Sequence, residues 1–200
     1  MKRIAAAFMF AVAFVGPATA QPPVPAGPPK TPAEAAIQVL DRVCRPAADS
    51  QVSPSNFTAA AGLSPEASQP PNLPLGVGGL STWRAPAPEG RLYVMSGVFP
   101  EATTPSTCLL ALYDTPARPV AAAISDYVLA LKRGFVINPR YAFIAAGYRF
   151  TRYDRRVGDT LHSVILMETE TPKPGAPTAV FAAFVVDYGW VLHPGRAHGA

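Results

Sequence analysis

The sequence predicts an α+β domain, with an antiparallel sheet of about six strands and two main helices packed on one face. Three observations point there. Two stretches repeat apolar residues at three- and four-residue steps, shorter apolar and aromatic runs alternate with Pro- and Gly-rich breakers, and each helical stretch precedes a set of three such runs. The order suggests a duplicated α-β-β-β plan. Its echo in sequence is thin: a threonine opens both "TCLLALYD" and "TAVFAAFVVDY", and a Tyr/Asp pair closes each.

The first helix is signalled at "TPAEAAIQVLDRVCR" by Thr31 as cap, Pro32 at the first helical position and Glu34 placed for a capping box. Ile37, Leu40, Val43 and Cys44 then form one stripe, so Cys44 faces the core, and Pro46 is expected to end the helix. "SPSNFTAAAG" suggests a short helix capped by Ser53 and stopped at Gly62. Residues 63–80 read as a long loop, unusual inside a compact domain and hence either mobile or ligand-facing. Its "GVGG", residues 76–79, is a flexible turn, because a strand and not a helix follows.

Strands are expected at Leu80 to Ala85, Arg91 to Phe99 and Thr107 to Tyr113, separated by "PAPEG" and "PEATTPS". "ARPVAAAISDYVLALKRG" gives the second main helix, with Val120, Ile124, Tyr127, Val128 and Leu131 on one side and Gly134 as its stop. "GYRFTRYDRR", "TLHSVILMET" and "TAVFAAFVVDYG" supply the remaining strands, joined by "VGD" and "PKPGAP". The last is apolar on both faces and belongs in mid-sheet.

Around this domain, residues 33–190, the chain reads as a signal peptide at 1–20, a Pro-rich flexible tether at 21–32 and a flexible tail at 191–200. Lys2 and Arg3, an apolar run from Ile4 to Val15 and the Ala18-Thr19-Ala20 site make the leader, with cleavage after Ala20. That run covers only about 18 Å of a hydrocarbon core about 30 Å thick, so it makes no stable membrane anchor. Losing Lys2 and Arg3 lowers the formal net charge from +4 to +2, which does not point to nucleic acid. The expected location is the periplasm or the outside of the cell, and abundant alanine and proline fit a GC-rich Gram-negative source.

Cys44 and Cys108 are the only cysteines, one on a buried helix stripe and one in a core strand, in a chain read as exported. A Cys44–Cys108 disulfide is the expected use of both. Without a C-x-x-C pair, and with three scattered histidines, neither redox catalysis nor a metal site is expected, and no cofactor is implied.

In "YRFTRYDRR" the two-residue period places Arg149, Tyr153 and Arg155 on one face. If Phe150 is buried on the other, these three form an exposed seat for an anionic or aromatic ligand. The expected role is therefore a non-catalytic binding or accessory module for a small anionic ligand, a glycan or an envelope protein. Two alternatives stand beside it: a hydrolase using His162 with nearby Asp159 or Ser163, although Ser163 should point to the opposite face, and a structural or assembly partner in the envelope.

Overall fold

The computed structural model describes residues 24, 27–68, 70, 73, 78–98, 107–131, 134–158, 160–171 and 178–187. The expected leader, the tail and the turns "PEATTPS" and "PKPGAP" lie outside them. The fold is α+β, built on a nine-stranded antiparallel sheet with few helices.

Helix α1, Pro32–Val39, starts where the capping residues say it should, with the Thr31 hydroxyl accepting from Glu34 N at 3.1 Å. Pro46 does not end the helix. The chain runs through a π-helical turn, Leu40–Cys44, into α2, Arg45–Ser50, and stops only at Gln51, whose φ of 57° is left-handed. A proline lacks the N–H for an i−4 bond and crowds that carbonyl. The wider π turn, with Arg45 N bonded to Leu40 O, absorbs the mismatch one residue earlier. A short helix α3, Ser55–Thr58, follows, and α4, Ala117–Ala130, crosses the same side of the sheet.

The strands are β1 Ser64–Glu66, β2 Gly78–Ala85, β3 Arg91–Val98, β4 Thr107–Tyr113, β5 Val136–Ile137, β6 Phe143–Ala145, β7 Tyr148–Val157, β8 Thr160–Thr169 and β9 Ala179–Asp187. Their order is β1-β2-β3-β4-β9-β8-β7-β5, with β6 also paired to β7. Six match the expected runs. β1, β5 and β6 are additions at the two edges, too short to show a period, and the second half of "GVGG" opens β2. As its two apolar faces predict, β9 lies inside the sheet, between β4 and β8.

Both faces of the sheet are apolar. On one, Leu92, Val94, Cys108, Leu110, Leu112, Val164, Leu166, Val180, Ala182 and Phe184 pack against the helices. On the outer face, Tyr93, Met95, Leu109, Tyr113, Met167 and Phe181 form a second buried cluster. Cys44 is bonded to Cys108, with α-carbons 5.2 Å apart, so the helix layer is covalently tied to the sheet. Within the stretch expected as a tether, Val24 packs on the helix-side core and Gly27 O accepts from Gln38 Nε2 at 3.0 Å. Among the described residues no helix is long and apolar enough to cross a membrane.

Candidate functional site

Strand β7 alternates as its sequence says, but the face carrying Arg149, Tyr153 and Arg155 is turned toward the helices. Tyr153 is buried in the helix-side core and its hydroxyl donates to Ser125 Oγ of α4 at 2.7 Å. Burial pushes its phenol above the ordinary tyrosine range. Arg155 is buried too, with Nη2 donating to Asp49 Oδ1 of α2 at 2.9 Å and lying 3.1 Å from His162 Nδ1. Its guanidinium also stacks on Phe135, 4.9 Å from the ring centroid. Only Arg149 is partly exposed, and it grips Glu170 through Nε at 3.0 Å and Nη2 at 2.7 Å, with Glu168 at 3.1 Å. That hydrogen bonding holds the Glu170 carboxyl below its ordinary value. The three residues therefore do not form an exposed seat. Phe150 is half-buried against the outer cluster as supposed, yet with apolar layers on both faces its burial does not expose its neighbours.

The hydrolase residues are also separated. A guanidinium has only donors, so His162 Nδ1 must accept from Arg155, and that lone pair is engaged on the helix side. Ser163 faces the outer side, where its hydroxyl donates to Asp154 Oδ1 at 2.7 Å and accepts from Arg152 Nη2 at 2.9 Å. Asp154 completes this cluster by accepting from Arg152 Nε and Asn138 Nδ2, each at 2.7 Å. Asp159 lies outside the described residues, and among the described residues no group of acidic, histidine or cysteine side chains is arranged to hold a metal.

The other end of the sheet carries an arginine with no such partner among the described residues. Arg84, on β2, lies across from Ser64 of β1 and Tyr93 of β3. Its Nη1 donates to the Tyr93 hydroxyl at 2.9 Å, and its guanidinium sits 4.8 Å from that ring's centroid. No described carboxylate pairs with it, whereas Arg45, Arg91, Arg149, Arg152 and Arg155 each have one. Together with Gly62, Ser64, Ala85, Pro86, Ala87 and Gly90 it lines an open pocket of about 330 Å³. Gly90 has a φ of 71°, and a Cβ there would run into the carbonyl of Tyr113, so this part of the lining requires glycine. The pocket thus sets Arg84 and Ser64 among small apolar residues, and no side-chain carboxylate is among its described lining residues.

No protein-family model, curated protein or solved structure matches the chain.

A second surface feature lies at the opposite edge. Val136, Ile137, Phe143 and Ile144 are all exposed on β5 and β6, and the exposed Arg140 sits in the turn between these strands. The sequence points to Ser64 only as part of the 63–80 stretch, read as mobile or ligand-facing, and singles out neither Arg84 nor the apolar edge. Arg84 sits in "STWRA", where one basic residue near a strand end is unremarkable, and its lack of a carboxylate depends on which residues the strand register brings alongside it.

Proposed function

We propose that the mature protein is an exported, non-catalytic binding module whose ligand is a small anion held at the Arg84 pocket. One observation carries the reading: Arg84 lines a pocket with no described carboxylate to neutralise it, while Arg149 and Arg155 of β7 are each paired with a carboxylate of the fold. A guanidinium with most of its donors unused is a ready seat for a carboxylate or phosphate group. The disulfide and the leader-like first twenty residues support an oxidising compartment. The symmetric strand order supports the reading that a helix followed by three strands is duplicated.

The test is an amide NMR titration of the mature chain with sodium benzoate and, separately, inorganic phosphate. At least one anion should shift the amides around Gly62, Ser64 and Arg84. Arg84→Gln should weaken that binding about tenfold or more, because a charge-assisted pair is lost. If neither anion binds in an Arg84-dependent way, the reading is wrong.

A second reading, an assembly role in the envelope, is favoured by the apolar edge. Arg140 and Arg156 are exposed, so the fitting partner is a protein that brings an apolar segment with acidic flanks. It predicts that the wild-type protein co-sediments with envelope fractions at low salt and is released at high salt. A variant carrying Phe143→Ser and Ile144→Ser should not be retained, and equal retention of the two would reject this role.

A further inference from the structure

We infer that the anion taken at Arg84 is the carboxylate of a small monoanionic acid with an uncharged body, and that the second half of the sheet holds the same contact as an internal ion pair. This rests on the Arg84 reading above and names the ligand class of that site.

The two halves are related through the central β4–β9 pair, with β3 and β8 next outward and β2 and β7 beyond. One match needs no insertion between the second and third strands of each half. It sets the cross-strand pair Val94–Leu110 on Leu166–Ala182, and Leu92–Leu112 on Val164–Phe184. All eight side chains belong to the helix-side core, so the match keeps faces as well as registers. It also carries Met95 onto Met167 and Ala111 onto Ala183. Followed outward, with Arg84 opposite Tyr93 and Arg152 opposite Ile165, it carries Arg84 onto Arg152.

Both arginines lie over an aromatic ring, but from different places: Arg152 lies 4.8 Å from the centroid of Tyr141 in the turn before β6, and Arg84 4.8 Å from that of Tyr93, whose match is Ile165. They differ two residues further on. After Arg152 comes Asp154, whose carboxylate takes up Arg152 Nε, the Ser163 hydroxyl and the Asn138 amide. After Arg84 the matching residue is Pro86, which lines the pocket. Where the second half has a carboxylate against its arginine, the first half has an open pocket whose lining includes the equivalent arginine.

The lining narrows the class further. One guanidinium neutralises one negative charge. Among the described residues no side-chain carboxylate lines the pocket to receive an ammonium group, which disfavours zwitterions such as amino acids. Ala85, Pro86 and Ala87 offer apolar contact, and about 330 Å³ is at the small end of ligand sites, enough for a compact acid such as benzoate or butyrate.

The decisive experiment titrates wild type, Arg84→Gln, Pro86→Asp and Pro86→Asn with benzoate, butyrate, glycine and inorganic phosphate, following amide NMR shifts. Benzoate and butyrate should bind wild type, bind Pro86→Asn more tightly than Pro86→Asp, and bind Arg84→Gln about tenfold or more weaker than wild type. Pro86→Asp should lose them to the same extent, because its own carboxylate then occupies Arg84. Thermal unfolding of each variant checks that it is folded. Should Pro86→Asp not fold, the ligand ranking with Arg84→Gln still decides. Undiminished binding of benzoate to folded Pro86→Asp overturns the inference. Arg84-dependent binding of phosphate without the carboxylates, or of glycine as well as benzoate, also overturns it while leaving an anion site standing. Absence of any Arg84-dependent binding removes the anion site itself.

Discussion

Side chains of one type have different fates here according to what the register sets beside them. Arg149 and Arg155 share a strand face, yet one meets Glu168 and Glu170 at a partly exposed end and the other is buried on Asp49 of a helix. The tyrosines divide in a way that can be measured. Tyr113, Tyr127 and Tyr153 are buried, and burial raises all three phenols above their ordinary value near 10, with Asp41 adding to the effect at Tyr127. A phenol raised in the folded state stays protonated when its unfolded counterpart would ionise. Its contribution to stability is therefore fully present below pH about 10 and is lost as pH rises toward the folded value. Phenolate absorbance followed together with circular dichroism should show these three ionising only as the protein unfolds. Ionisation of all seven tyrosines in one unperturbed step near pH 10, with the dichroism unchanged, would contradict their burial.

At the scale of elements, what the sequence revealed depended on length and period. Helices α1 and α4 and six strands were legible because each is long enough to repeat an apolar spacing, and β9 announced its central place by being apolar on both faces. Strands β1, β5 and β6 have two or three residues, so no period exists to be read, and partners alone define them. The π turn was illegible for another reason: Pro46 is a valid stop signal, and only packing of the stripe through Cys44 favours continuing past it. Element order suggests an α-β-β-β repeat, but the sequence echo that would support it is one residue out of register with the strand pairing. Aligning Thr107 with Thr178 would set Leu110, a helix-side residue, on Phe181, which faces the outer cluster. A single-residue slip exchanges the faces of a strand, so the equivalence has to be taken from the pairing registers. Of the candidate site, Arg84 was visible only as one more arginine, because its distinguishing property is a carboxylate that its neighbours do not supply.

At the scale of the whole molecule, two layers with little helix must stay fixed over a wide sheet, and the disulfide is the covalent tie between them. Cys44 ends the π turn and Cys108 is fully buried in β4, 64 residues further along the chain. Closing a loop of that length restricts the unfolded chain by about 4 kcal/mol in the loop-closure argument, within a usual range of about 2–5 kcal/mol for removing a native bridge. Against net stabilities of about 5–15 kcal/mol, that is a large share. The bond lies on the helix side, whereas Arg84 and Tyr93 lie on the outer side of β2 and β3. Reduction, or the double change Cys44→Ser with Cys108→Ser, should therefore lower the unfolding free energy in urea by about 2–5 kcal/mol. Benzoate affinity measured well below the unfolding midpoint should stay within about threefold of wild type, since that is a change of under 1 kcal/mol at a site the bond does not touch. A large loss of affinity in a variant that remains folded would mean that the bridge shapes the pocket directly and that the helix layer and the Arg84 corner are one mechanical unit.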